Sequence, residues 1–529
     1  MDGFLIHSPL RHYAQATPEH PALSLQGEQM SYKDLDQRSN QLAHALIAAG
    51  VKPKDRVGLF LHKSFELGIA IYATLKTGAV FVPLDPFMPA ARLAFIVEDC
   101  GIAVLITSDL QCKVLEELPK KAGLTLAGVT KPVPFETITQ QNVDAHPITD
   151  PDVIITDQYL GYIMYTSGST GEPKGMMHTH AGSIAYANWG KDHVGLTSAD
   201  RVASHAPLHF DLSIFDFFST LRAGGTVVFV PEALTKFPAS WTKLIQDERI
   251  TAVFTVPYTL ITMVEQGAME TYDLSSMRWI MFGGEPYPPK QLRVIMDALP
   301  QVQFTNVYGP AEAPSCTCYD IPRPLPEGDA PLPIGLVSRN SEGLIIDEDD
   351  MPCAPAASGE LCIKSSTLTR GYWNKPDLNK KAFYLREGHG PFPDVYFRTG
   401  DRVREGEDGN LRFLGRMDRM VKTRGNRVEL DEVEAALVSH PDAIEVAAFV
   451  IPDAHGSQTI IAAVTLRTDS DADRGSLTKH MRTKLPSYAV PRDILILNEL
   501  PHGSSGKVDR RLLRESYQND QIIESKKDT

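Results

Sequence analysis

The segment Tyr165-Thr166-Ser167-Gly168-Ser169-Thr170-Gly171-Glu172-Pro173-Lys174-Gly175 concentrates the groups that grip phosphate. Three glycines, four aliphatic hydroxyls and one lysine in eleven residues make a turn dense in N–H and O–H donors, with one cation beside them. Such a turn can cradle a polyphosphate. It is not a Walker loop, because no Gly-Lys-Ser/Thr follows a glycine at the required spacing. By composition alone the same residues also describe a solvated linker. Other reactive side chains are equally two-sided when taken singly. Lys507, in Ser504-Ser505-Gly506-Lys507-Val508-Asp509, could be surface decoration, and Asp401, after Thr399-Gly400, could be an ordinary turn residue. Asp211 follows Phe210; a buried carboxylate there would need a matching cation, or it could cap a helix beginning at Leu212.

Taken together and in order, these segments resemble the adenylate-forming superfamily, which includes acyl-CoA synthetases, luciferases and the adenylation domains of nonribosomal peptide synthetases. The loop 165–175 is similar to that family's phosphate-binding signature. Leu75-Lys76-Thr77-Gly78-Ala79-Val80-Phe81-Val82-Pro83-Leu84-Asp85-Pro86 resembles its second core motif and Phe210-Asp211-Leu212-Ser213 its fourth. Asn306-Val307-Tyr308-Gly309-Pro310-Ala311-Glu312, then Gly359-Glu360-Leu361 with Arg370-Gly371-Tyr372, then Tyr396 to Asp401 follow. Gly415 to Gly425 and Gly506 to Asp509 complete eight collinear matches over nearly the whole chain.

The resemblance implies an enzyme that joins a carboxylate to the α-phosphate of ATP, expels pyrophosphate, and then hands the acyl group to a thiol. It assigns Thr166, Ser167, Gly168, Ser169, Thr170 and Gly171 to the β- and γ-phosphates, with Lys174 as a mobile counter-charge. Glu312 would hold Mg2+, Asp401 and Arg416 the ribose, and Asn306 and Tyr308 the adenine. Lys507 would bridge substrate carboxylate and α-phosphate as charge develops there. Asp418 matches the hinge about which the small C-terminal domain swings. One position departs from the pattern: Ala311 stands where most relatives have threonine, which removes one hydroxyl from the phosphate site.

By the same resemblance, an aspartate after an aromatic residue marks members that activate amino acids, so Phe210-Asp211 points to a substrate ammonium. Leu212, Phe215, Thr259, Ile280, Phe282, Val307, Ser315 and Cys316 match the family's specificity pocket. They are mostly apolar and carry no second charge, which implies a neutral side chain; the bulk of Phe215 and Phe282 implies a shallow pocket. The texture here looks like stand-alone ligases that load proline or related small amino acids onto carrier proteins for natural-product assembly. L-Proline leads, with another small aliphatic or β-amino acid, or an acyl-CoA ligase for a small carboxylic acid, as alternatives. A non-catalytic relative is disfavoured by the joint presence of Lys174, Glu312, Asp401 and Lys507.

Apolar β-type runs at 57–61, 103–106, 162–165, 226–230 and 251–254, each spaced to leave room for a helix, must position these groups. They predict α/β layers. Ser31 with Asp34 predicts a helix start ahead of Leu35, Leu42 and Leu46, ended by Gly50. After about residue 350 the texture turns to short antiparallel β-structure, and a fresh α+β stretch begins at Asp418, with a helix over 429–437 and a strand over 445–451. The expected organisation is therefore α/β: a large N-terminal body of packed α/β subdomains plus a β-rich subdomain (1–417), a small mobile α+β C-terminal domain (418–515), and a polar tail (516–529).

Composition narrows the partners. The 529 residues carry a formal charge of −14, so no basic excess supports nucleic-acid binding. Residues 419–514 hold 14 basic and 13 acidic side chains, so almost all of the negative charge belongs to the first 418 residues. Six cysteines without a CxxC repeat predict reduced thiols, and no apolar run approaches a membrane span. The expectation is a cytoplasmic monomer. No Leu-Gly-Gly-x-Ser attachment site occurs, so the thiol should belong to a separate acyl or peptidyl carrier protein, docked locally on the near-neutral C-terminal domain.

Overall fold

A nine-stranded sheet is built where the sequence alternates apolar runs with helices. Its order is Leu336–Val337, Thr317–Asp320, Gln303–Tyr308, Trp279–Gly283, Ala252–Thr255, Arg201–Ser204, Thr226–Phe229, Pro21–Leu25, Glu28–Ser31. The central strands are parallel, and both ends finish in antiparallel pairs. The computed structural model describes residues 3–108, 132–134, 145–168, 172–389, 391–453, 455–468, 470–502 and 508–525, with 111, 115 and 143 singly.

Because successive strand residues face opposite ways, each strand feeds two cores. Val202, Val227, Ala252, Phe254, Met281 and Val307 enter one apolar cluster, which they share with Val57, Leu59, Phe81 and Tyr162 of a six-stranded sheet and with Phe215, Phe217 and Phe218. Their neighbours Ala203, Val228, Val253, Ile280, Phe282 and Phe304 enter another, with Trp241, Leu260, Leu292 and Ile295 of the covering helices. Burial on both faces explains why these strands read as continuous apolar runs. The six-stranded sheet runs Pro132–Pro134, Ile102–Thr107, Arg56–Phe60, Val80–Pro83, Leu160–Thr166, Lys174–Thr179. The helix Tyr32–Ala48 starts as its sequence demands, with the Ser31 hydroxyl accepting from the Asp34 amide.

The β-rich region is a five-stranded antiparallel sheet built on the long strand Phe392–Glu405, which pairs with Ser358–Ser365, Phe383–His389 and Leu411–Arg416. The chain divides into two units. The first comprises Met1–Pro86, Ala94–Tyr165 and Gly175–Met417; the second comprises Asp418–Thr529 with the short segments Phe87–Leu93 and Thr166–Lys174. In the second unit a hairpin, Met420–Thr423 with Asn426–Glu429, precedes the helix Leu430–Val438. A three-stranded sheet of Ala443–Pro452, Gln458–Leu466 and Asp493–Leu497 follows.

The C-terminal segment differs from expectation. A helix runs from Arg510 to Ser525, through the start of the predicted polar tail. Leu513 and Tyr517 lie one turn apart and bury against Phe449, so four-residue spacing outweighs the polar composition around them. Among the described residues no helix is long and apolar enough to cross a membrane, and Cys100, Cys316, Cys318, Cys353 and Cys362 form no disulfide.

Candidate active site

In the first unit, three strands bring Tyr308, Asp401 and Arg416 together. Asp401 and Arg416 are cross-strand partners, and Tyr308 closes the strand Gln303–Tyr308. Asp401 is 5% exposed. One carboxylate oxygen accepts from Arg416 at 2.9 Å and the other from the Tyr308 hydroxyl. Arg416 also donates to the Thr399 carbonyl at 2.7 Å, and the Asp401 amide donates to the Thr399 hydroxyl at 3.1 Å. Burial, reinforced by the Asp401 charge, pushes the Tyr308 phenol well above its ordinary range, so it stays a proton donor at neutral pH. Each carboxylate oxygen retains acceptor capacity beyond one bond, which suits a vicinal diol. Asn306 donates from its amide to the Pro333 carbonyl at 2.8 Å.

The turn after Tyr308 carries Glu312. Gly309 has no room for a side chain: a Cβ would sit 2.5 Å from the Ser315 nitrogen and 2.6 Å from the Ala313 oxygen. The tight return seals Glu312 completely from solvent. Its carboxylate accepts from the Tyr372 hydroxyl at 2.5 Å, and its carbonyl accepts from the Thr369 amide at 2.8 Å. His178 stacks on Tyr162 with ring centroids 4.9 Å apart and bonds to the backbone of Ala311. Burial pulls His178 down to about 4, against the opposing pull of Glu312, so it is neutral at pH 7. Nothing in the sequence marks Tyr372, Thr369 and His178 individually as site residues, although Tyr372 lies in one of the matched motifs. Among the described residues there is no group of three or more potential ligands able to hold a metal on its own. One buried carboxylate fits a magnesium ion delivered on a triphosphate, since Mg2+ retains waters and phosphate oxygens as its other ligands.

Of the segment 165–175, the described residues 166–168 and 172–174 belong to the second unit. Gly168 is required by close approach, because a Cβ would lie 2.0 Å from the Glu172 carbonyl oxygen. The Ser167 hydroxyl donates to the Arg427 carbonyl at 3.0 Å, and the Lys174 ammonium lies 4.0 Å from Glu429. The Thr166 hydroxyl is buried with no hydrogen-bond partner among the described residues. A buried orphan hydroxyl is rare in folded proteins, and here it suits a phosphate oxygen. Ser169, Thr170, Gly171 and Lys507 lie outside the described residues.

Asp211 sits at the N-cap position of the helical stretch beginning at Leu212, yet its side chain makes no capping bond. That removes the helix-cap explanation for this residue. Its charge contributes to raising the phenols of Tyr162 and Tyr186, behind the larger effect of burial. Tyr186, on the helix His180–Val194 capped by Thr179, accepts from the Ser315 hydroxyl at 3.3 Å. Asp211, Tyr162, Tyr186 and Ser315 therefore form one neighbourhood.

The structure separates the other predicted pocket residues. Phe215 and Val307 share one core cluster, against which Leu212 packs. Ile280 and Phe282 belong to the other, where Phe282 meets Tyr287 edge-on at 5.0 Å. The strand Trp279–Gly283 turns those two residues away from the face that carries Met281. Cys316 is buried in a third cluster with Ile334 and Leu361, its thiol 3.6 Å from the Tyr308 carbonyl. Phe210 and Thr259 are half-buried.

Residues 10–373 match the AMP-binding enzyme family and residues 432–507 match the AMP-binding enzyme C-terminal domain. The chain belongs to the AMP-binding enzyme family. This AMP-binding enzyme is 33% identical over 506 residues to the L-proline–[L-prolyl-carrier protein] ligase of Pseudomonas fluorescens, covering 96% of this chain and 98% of that one. It is 33% identical over 508 residues to tyrocidine synthase 2 of Brevibacillus parabrevis, spanning 94% of this chain but 13% of that much longer protein. In fold it resembles the amide bond synthetase McbA of Marinactinospora thermotolerans, with a TM-score of 0.83 at 23% identity over 97% of this chain and 99% of the other.

Proposed function

We propose that this AMP-binding enzyme activates a small neutral amino acid, L-proline first among candidates, as the aminoacyl adenylate, and then transfers it to the phosphopantetheine thiol of a separate carrier protein. The observation that carries the choice of an amino acid is Asp211, a carboxylate not spent on capping its helix and set among Tyr162, Tyr186 and Ser315. A cation beside this half-buried carboxylate would balance its charge, and the substrate ammonium is the group that would supply it. The Pseudomonas relative supports proline.

In the first half-reaction, the substrate carboxylate oxygen bonds to the α-phosphorus of ATP while the bond to the β-phosphate bridging oxygen breaks. Pyrophosphate leaves. Thr166, Ser167 and Lys174 hold the outgoing phosphates, Asp401 accepts from the ribose hydroxyls, and Arg416 keeps that carboxylate aimed. Asn306 and Tyr308 border the adenine. Bound magnesium, held by Glu312, would neutralise charge on the triphosphate. Lys507 stabilises the charge that develops between carboxylate and α-phosphate. In the second half-reaction the carrier thiol, losing its proton to solvent, attacks the acyl carbon, and AMP departs.

ATP–pyrophosphate exchange across a panel of amino acids and simple carboxylic acids tests this reading. Exchange should depend on a small amino acid, rank proline first, and vanish in Lys507→Ala with the fold retained. Exchange supported by simple acids but by no amino acid would refute it.

A further inference from the structure

Lys63, in the first unit, carries a buried ammonium that the chemistry described above does not use. It is 8% exposed and immediately precedes Ser64, whose hydroxyl accepts from the Leu67 amide and starts the helix Phe65–Lys76. The ammonium donates to the Ser204 carbonyl at 2.6 Å and to the His205 carbonyl at 2.8 Å. Burial pulls it down to about 8, against the charges of Asp216 and Glu232, so it is still a cation at neutral pH.

Asp216 is fully buried and lies five residues beyond Asp211, on the stretch Phe215–Ser219 where the helix widens to a π-type turn. Such turns recur at functional sites. Neither of its carboxylate oxygens has a hydrogen-bond partner among the described residues. Burial opposes its ionisation, and the Lys63 charge and the backbone N–H of Ala206 favour it. A carboxylate and an ammonium this deep are tolerable only as a compensating pair.

The pair acts on one loop. Ser204 ends the strand Arg201–Ser204, and the chain then runs from His205 to Asp211. Lys63 holds the carbonyls of 204 and 205, and Asp216 acts on the next amide. Toward the far end the Ser213 hydroxyl donates to the carbonyls of Leu208 at 3.0 Å and Phe210 at 2.6 Å, and the Phe210 amide donates to the Pro207 carbonyl at 3.0 Å. Asp216 also contributes to raising the Tyr186 phenol, as Asp211 does, so both carboxylates border the same neighbourhood. A loop held in place before the substrate arrives spares binding the cost of ordering it.

We propose that Lys63 and Asp216 are positioning residues for amino-acid recognition: they fix the peptide groups 204–206 and thereby hold Asp211 where the substrate ammonium meets it. The catalytic consequence rests on the reading of Asp211 given above; the fixing of the loop does not.

The test uses the full-length enzyme and ATP–pyrophosphate exchange with proline and with tetrahydrofuran-2-carboxylate, the same ring with oxygen in place of the ammonium nitrogen. Lys63→Met should raise KM for proline by at least about tenfold, while KM for ATP and for the oxygen analogue changes by less than about twofold. Asp216→Asn, which keeps the shape and loses the charge, should raise KM for proline by about threefold in the same one-sided way. The double variant Lys63→Met/Asp216→Asn leaves no unmatched buried charge, so it should recover about half of the thermal-midpoint loss of Lys63→Met. Its KM for proline should stay raised, because the Ser204 and His205 carbonyls still lack their donor. Amide hydrogen exchange over 206–214 should be about tenfold faster in Lys63→Met, with the helix Pro289–Ala298 unchanged. KM rising equally for proline and ATP, a proline KM restored in the double variant, or unaltered exchange over 206–214 would overturn the proposal. If Lys63→Met did not fold, Asp216→Asn would decide alone, an unchanged KM for proline being the refuting result. If the wild-type enzyme used the oxygen analogue as well as proline, the amino-acid reading of Asp211 would fail, and hydrogen exchange over 206–214 would still decide whether Lys63 fixes the loop.

Discussion

Replacing Tyr372 by phenylalanine tests how Glu312 is held. The substitution keeps ring volume and removes a single O–H donor 2.5 Å from a carboxylate with no solvent exposure. Packing is preserved, so the effect isolates one charge-assisted hydrogen bond. Such bonds are worth about 1.5–3 kcal/mol. Converted at about 1.4 kcal/mol per decade, the loss is a factor of about 10–150 in any equilibrium that depends on an ionised, correctly aimed Glu312. The readout is the magnesium concentration that half-saturates ATP–pyrophosphate exchange, measured beside the thermal midpoint. Half-saturation should move upward by that factor, with the midpoint lowered by a few degrees. Unchanged magnesium dependence, with or without a lower midpoint, would show that Tyr372 merely fills space and that Glu312 needs no orienting partner.

Three further outcomes follow from the same structure. Asp418→Pro should depress carrier loading far more than adenylate formation, measured as separate half-reactions; equal losses would remove the hinge assignment. Burial holds His180 down at about 4 and His205 at about 3, below the ordinary histidine value of 6.5. Folded values lower than unfolded ones mean full stability above pH 6.5, lost progressively as pH falls toward 4 and below. The unfolding midpoint should decline over that window, and a profile flat from pH 7 to 4 would contradict it. Arg482 and Lys484 are exposed on the near-neutral C-terminal domain. Reversing either charge should slow carrier loading at low salt and matter little at high salt, because steering by surface charge is screened; loading indifferent to both would move the docking face elsewhere.

Residue types and local order determined the chemistry. Hydroxyls, glycines and a lysine packed into eleven positions, and carboxylates at 312 and 401 in characteristic company, are one-dimensional facts. So are the doubly buried strands, whose apolar runs were legible at 57–61, 162–165 and 226–230, and the Ser31 cap, which depends on a neighbour three residues away. What required the tertiary structure is every relation set by the direction a side chain faces or by chain segments far apart. Ile280 and Phe282 read as companions of Phe215 and Val307, yet strand alternation and the covering helices place the two pairs in different cores. The helix through residue 525 was hidden in a polar composition because Leu513 and Tyr517 acquire meaning only against Phe449. Tyr372 on Glu312, and Lys63 on the Ser204 and His205 carbonyls, join residues 60, 141 and 142 positions apart. The sequence determined which groups could act on ATP and an amino acid; the fold alone decided which neighbours hold them in place, because hydrogen bonds and packing depend on distance in space and leave no period along the chain.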